Sequence, residues 1–224
     1  MIDWQPLILT FQLALVTTLL LMVVAIPLAY WLTYTQTRFK PVVEALVSMP
    51  LVLPPTVLGF YLLVAFSPNN PIGAWLDDWL GLRLVFSFEG LVFASMIYSL
   101  PFMVQPIQSG LTNLPPSLKE ASYLLGKSRT TTLFKVLLPN ISASMITGIV
   151  LAFAHTVGEF GVVLMIGGNI PGVTKVASIA VYDEVEGLNY GVANAYSLVL
   201  FAITFAILLL VYLVNGRHLK TMRR

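Results

Sequence analysis

Five uncharged stretches set the rhythm of this chain: 4–37, 45–76, 90–118, 136–158 and 187–216, the fourth holding His155 as its only ionisable group. Each can supply about 20 residues of helix, the length that a hydrocarbon core of roughly 30 Å requires. The pattern predicts five membrane-spanning helices, at about 8–33, 43–66, 90–110, 141–165 and 193–215. Polar positions gather between them. Ten of the twelve Lys and Arg residues form three groups: Arg38 with Lys40; Lys119, Lys127, Arg129 and Lys135; and Arg217, Lys220, Arg223 and Arg224. Only Arg83 and Lys175 stand elsewhere. Basic residues collect on the cytoplasmic side of a membrane, so loops 34–41 and 111–140 and the C-terminus are expected inside. Loops 67–89 and 166–192 carry most of the acids, Asp77, Asp78, Glu89, Asp183, Glu184 and Glu186, and are expected outside with the N-terminus. A sixth span over 174–186 would put three acids into lipid, which is costly.

Composition supports one membrane domain over 1–224. The chain is 58% hydrophobic and 10% charged, with mean hydropathy +0.87, whereas soluble domains carry about 25% charged residues. The first stretch is too long for a signal-peptide apolar region and has no basic residue before it. The cations border apolar spans and build no continuous basic face, which argues against nucleic acid as a partner. With no cysteine, thiolate and disulfide chemistry are excluded. His155 and His218 are too isolated to suggest a metal site. No catalytic constellation is apparent.

The central polar loop, about 113–139, is the most ordered in pattern. Pro115-Pro116 ends the preceding helix, and Ser117 stands three residues before Glu120, the spacing of a capping box. A short helix from about Leu118 to Leu125 would end at Gly126, a residue suited to the C′ position. So short a helix is marginal alone, so it either docks on a partner or lies on the lipid surface. Gly126-Lys127-Ser128 looks like the end of a phosphate-binding loop, but the glycine required five residues earlier is Ala121, and no strand precedes it. The chain is expected to bind no ATP.

Glu120-Ala121-Ser122, Gly126 four residues on, and Leu138-Pro139 at the close resemble the EAA loop of ABC-importer permeases, with Ser122 where the motif usually has Ala. Residues 44–59 and 153–172, including Pro50, Pro54, Pro55 and Phe153-Ala154-His155-Thr156-Val157-Gly158-Glu159, resemble molybdate permeases. The resemblance implies a type I ABC-importer permease: all-α, with about five transmembrane helices and a cytoplasmic coupling helix. It also implies a homodimer working with two cytoplasmic ATPases that hold the ATP and Mg²⁺, and with an extracytoplasmic molybdate-binding protein. The chain itself would carry no cofactor and would lie in a bacterial plasma membrane. Sulfate and tungstate permeases are close relatives and remain alternatives. A secondary transporter is the alternative of another class, though such proteins show repeats and paired broken helices, and only one proline-broken span is obvious here.

Three prolines inside that span each remove a helix hydrogen bond. Broken backbone at membrane depth is tolerated where it faces protein or a wet cavity, so Ser48, Pro54, Pro55 and Thr56 are expected beside a translocation path or at a kink held in packing. Glu159, one helical turn after His155, is either a further path residue or a structural partner of that histidine.

Overall fold

The computed structural model describes residues 2–221 and is helical throughout its regular elements. Met1 and residues 222–224 lie outside the described residues, and with them Arg223 and Arg224 of the final basic group. Helix α1 runs Gln5–Tyr34, α2 Lys40–Leu51 and α3 Pro55–Phe66. The α2–α3 pair is bent by 112° at its break, so the second predicted span is not one continuous helix. Helix α4, Pro71–Leu80, occupies the loop that follows, and α5 spans Phe88–Thr112. Helix α6 is Pro116–Leu124, and α7 is Arg129–Asn140. Helix α8, Ser142–Val157, meets α7 at 82°. Then come α9 at Gly161–Gly167, α10 at Ala177–Glu186 and the long α11 at Tyr190–Thr221. Three helices are long and apolar enough to cross a membrane unaided, and five spans result if each bent pair counts as one.

Two expectations need correction. The fourth span does not run unbroken to residue 165, because α8 stops at Val157 and α9 begins at Gly161. Segment 166–192 is not a plain loop either: it contains α10, whose Ala177, Ile179 and Ala180 are buried. Threonine chemistry explains part of that burial. Thr10 Oγ1 donates to the Pro6 carbonyl at 2.7 Å and accepts from the Ala177 amide at 2.8 Å, fastening α10 to α1.

Helices α1 and α5 form the shaft of the bundle. Ala14, Leu21, Ala25, Ala29 and Leu32 of α1 are fully buried and recur every three, four or seven residues, one stripe of a helix. Lipid offers no hydrophobic drive for helices to associate, so close contact across small residues matters most. Three alanines in that stripe permit it. The core divides into two layers along the shaft. At the Tyr34 end, Leu21, Ala25, Ala29 and Leu32 meet Met103, Ile107 and Leu111 of α5, with Leu133 and Leu137 of α7. At the Gln5 end, Leu9 and Leu13 meet Leu91 and Ala94, joined by Leu58 of α3 and Val162, Val163 and Ile166 of α9. The segment before α1 also meets α11 directly. The Asp3 amide donates to Tyr196 Oη at 2.9 Å, and that hydroxyl donates to the Asp3 carbonyl at 2.8 Å.

Candidate functional site

The first irregular segment follows from proline chemistry. Pro54 and Pro55 have no N–H, so the carbonyls of Pro50 and Leu51 lose the donors four residues ahead. Helix α2 tightens into a 3₁₀ turn over Met49–Leu51, and the amides of Val52 and Leu53 both return to the Met49 carbonyl at 3.1 Å. Pro54 is extended, with ψ 134°, and α3 starts afresh with Pro55 in its first turn. Thr56 and Pro54 are exposed, Pro55 and Ser48 half-buried. Ser48 Oγ accepts a 3.4 Å hydrogen bond from Gln105 of α5, and one turn away Gln108 donates to Glu44 at 3.0 Å. Gln105 and Gln108 escaped the sequence reading, although two amides three residues apart in a span were the available signal.

The second irregular segment, between α8 and α9, has no proline. Gly158 caps α8, and Phe160 takes φ −129° and ψ −63°, outside the helical region. Glu159 is 4% exposed. Its two carboxyl oxygens have no hydrogen-bond partner among the described residues, and Ser95 of α5, whose hydroxyl is likewise unpartnered, is the side chain beside them. The Glu159 carbonyl is held by Ser178 Oγ at 2.6 Å. His155 and Glu159 do not share a helix face, because the helix ends between them. His155 turns instead to α5, with Nδ1 2.9 Å from Ser99 Oγ and its ring 4.1 Å from that of Phe102.

These two segments, about 100 residues apart in sequence, are packed together through glycine. A Cβ at Gly161 would lie 2.9 Å from Pro55 Cβ and 3.2 Å from the Thr56 amide nitrogen. One at Gly59 would lie 2.8 Å from Met165 Cβ and 3.0 Å from Val162 Cα. The structure therefore joins Pro55 and Thr56 to the segment just after Glu159. Ser48 stands on the far side of the first break.

The polar loop forms a compact unit at the other end of the shaft. Helix α6 starts two residues earlier than the capping-box pattern requires: Pro116 takes the first turn, Pro115 precedes it, and no side chain caps the N-terminus. Ser117 is thus inside the helix, and the expected Ser117–Glu120 box does not form. The C-terminus matches its expectation more closely. Gly126 has φ +72°, its amide reaches the Tyr123 carbonyl at 2.9 Å, and Lys127 reaches Ser122 at 3.1 Å, the paired bonds of a Schellman motif. Ser122 is 4% exposed and lies 2.8 Å from Thr132 Oγ1, which ties α6 to α7. Leu138 is buried and Pro139 exposed near the end of α7. Helix α6 leaves Glu120, Ala121 and Leu124 exposed, with Leu125 and Gly126 beyond it, an uncovered mixed face of which Leu124 is 88% accessible. Among the described residues no group of His, Cys, Asp and Glu could hold a metal.

The sequence model for the binding-protein-dependent transport system inner membrane component matches residues 7–224. The molybdenum transport system permease protein of Azotobacter vinelandii is 47% identical over 97% of this chain and 96% of its own length. Its Escherichia coli K12 counterpart is 34% identical over 82% of this chain and 80% of its own. The E. coli sulfate transport system permease protein CysT is 33% identical over 85% of this chain and 68% of its own. Among solved structures, a bacterial ABC transporter for import of the acidic polysaccharide alginate superposes with TM-score 0.74 at 16% identity, covering 96% of this chain and 80% of that one. An inward-facing methionine ABC transporter does so with TM-score 0.71 at 18% identity, covering 98% and 95%.

Proposed function

The chain belongs to the family of binding-protein-dependent transport system inner membrane components, and from that premise we propose that it is the permease subunit that carries molybdate in an ABC importer. One observation carries the substrate: 47% identity over nearly all of both chains to a molybdenum transport permease. The protein is a multi-pass membrane subunit whose task is transport. ATP hydrolysis falls to a separate partner.

In this reading the exposed face of α6, with Glu120, Ala121 and Gly126, docks on a cytoplasmic ATPase, while Ser122, Leu138 and Pro139 hold the loop that presents it. Two copies of the chain pair, two ATPases bind ATP and Mg²⁺ beneath them, and an extracytoplasmic binding protein delivers the anion. Closure of the ATPases on ATP moves the two docking helices and rocks the dimer from inward-open to outward-open. The seam of Pro54, Pro55 and Thr56 against the segment around Glu159 borders the path, with Ser48 beside it across the first break. Hydroxyls and backbone amides suit it, since they partner an oxyanion without the grip of a full charge. The N-terminus lies outside and the C-terminus inside.

Deleting the gene in its host lowers the activity of molybdenum-cofactor enzymes at trace molybdate, and excess molybdate restores it. Normal cofactor activity together with a growth requirement for reduced sulfur would replace molybdate by sulfate, the substrate named for a relative at 33% identity. For orientation, Asp183→Cys reacts with an impermeant thiol reagent outside intact cells and Ser128→Cys does not. The reverse labelling would invert the topology.

A further inference from the structure

Two cavities share a wall where α1 approaches the docking loop. One, of about 540 Å³, is lined by Tyr30, Trp31, Tyr34, Lys119, Tyr123 and Arg129 among others. Lys119 Nζ sits 3.8 Å from the centre of the Tyr34 ring and 5.9 Å from that of Tyr123. The hydroxyls of Tyr30 and Tyr123 are 3.4 Å apart. Neither Lys119 nor Arg129 forms an ion pair among the described residues. The second cavity, also about 540 Å³, is an apolar groove along α1, walled by Met22, Val23, Ile26 and Pro27 on one side and Leu133 and Phe134 of α7 on the other. Tyr30 and Arg129 line both cavities. Val23 is 72% exposed and Phe134 57%, so the groove opens on the outer surface of the bundle.

We propose that the two cavities together hold one anionic phospholipid, its phosphate between Lys119, Arg129 and the tyrosine hydroxyls and one acyl chain along the groove. Charge selects the headgroup: two cations without acidic partners among the described residues favour a net negative lipid over a zwitterionic one. The apolar groove selects a lipid over a free oxyanion, which would have no use for it. Length agrees as well. From Met22 to Tyr34 the helix rises about 18 Å at 1.5 Å per residue, close to one leaflet's share of a hydrocarbon core of about 30 Å. Trp31 lies near the headgroup end of that interval, where interfacial aromatic residues collect. The headgroup touches Lys119 and Tyr123 of α6 as well as α1, so the lipid braces the docking helix against the shaft. That consequence for coupling rests on the docking role proposed above, whereas the binding itself does not.

The test is lipid binding by the purified permease–ATPase complex, read by native mass spectrometry with added short-chain phosphatidylglycerol, phosphatidylcholine or inorganic phosphate. Phosphatidylglycerol binds about tenfold to thirtyfold more tightly than phosphatidylcholine, the increment expected for two cations at about one headgroup charge. The double variant Lys119→Gln, Arg129→Gln removes that preference. Val23→Trp, at an exposed position away from the cations, fills the groove and weakens both lipids. Equal binding of the two lipids by the native complex overturns the proposal, as does a double variant that keeps the preference. Displacement of phosphatidylglycerol by equimolar inorganic phosphate would make the site one for a free anion and likewise overturn it. A Val23→Cys variant that forms a disulfide between copies on oxidation would place a second chain in the groove and overturn it too.

Discussion

The break between α2 and α3 and the break between α8 and α9 interrupt apolar helices by opposite means. The first is made by proline and lies open: Val52 is 85% exposed, and Leu51 and Pro54 are exposed beside it. The second is made by glycine and an unusual Phe160 backbone, and is closed: Glu159 and Gly161 are buried, and a serine from α10 satisfies the carbonyl between them. Backbone that cannot bond within its helix must find a partner or a cavity. The open break leaves that task to whatever surrounds the chain, and the closed one solves it internally. An open break can change its surroundings at little cost, whereas a closed one is a fixed joint.

Four substitutions bear on that contrast. The largest effect is expected from Gly161→Leu, because even its Cβ would press on Pro55 and on the backbone of Thr56. Overpacking of this kind costs about 1–3 kcal/mol or more, and a joined pair of breaks requires both a lower thermal midpoint and an uptake loss of about tenfold. Wild-type uptake and melting would show that the two breaks are not held together. Ser178→Ala comes next. It strips the donor from a buried carbonyl, a loss of about 1–3 kcal/mol, and the drop in melting temperature of the purified complex measures it. If the α8–α9 joint is satisfied elsewhere, no drop appears.

Gly126→Val sharpens the comparison from a third site. Nothing lies within 4 Å of a Cβ there, yet φ is +72°, so the strain is conformational and not steric. About 1–2 kcal/mol is at stake, confined to the end of α6. ATPase copurification and transport fall while the melting of the helical bundle stays unchanged. A lowered melting temperature with normal ATPase binding would count against a docking role. The smallest effect belongs to Val52→Ser at the open break, within about 0.5 kcal/mol as for other surface substitutions. A large loss of stability in that variant would mean that the exposed break is covered in the assembled protein.

The uneven legibility of these sites has a physical basis. Pro50, Pro54 and Pro55 announce their break because a missing N–H acts within four residues. The α8–α9 break depends on Gly161 meeting Pro55 across the bundle and on Ser178 reaching back 19 residues, and neither is local. His155 and Glu159 looked like neighbours only under the assumption of a continuous helix. The capping box failed for a related reason: Pro116 pre-empted the first turn and moved Ser117 inside. Gly126 was readable because a positive φ after a short helix is a local demand. Ser122 was readable as a motif position, but its bond to Thr132 required the hairpin of α6 and α7. A single obvious proline-broken span also weighed against a second transporter class, and the structure adds a break without proline, between α8 and α9, that such a count could not include. Family membership settles the class where the count does not.

The pairing of Asp3 with Tyr196 carries a consequence for biosynthesis. These partners are 193 residues apart in sequence. At ribosomal speeds of about 5–20 residues per second, roughly 10–40 seconds separate the emergence of one from that of the other. During that interval α1 sits in the membrane without its final neighbour, and the Asp3 amide and carbonyl can be served only by water or lipid headgroups. The contact that ties the segment before α1 to α11 can therefore form only once Tyr196 has been made, long after the α5 partner of α1 is available.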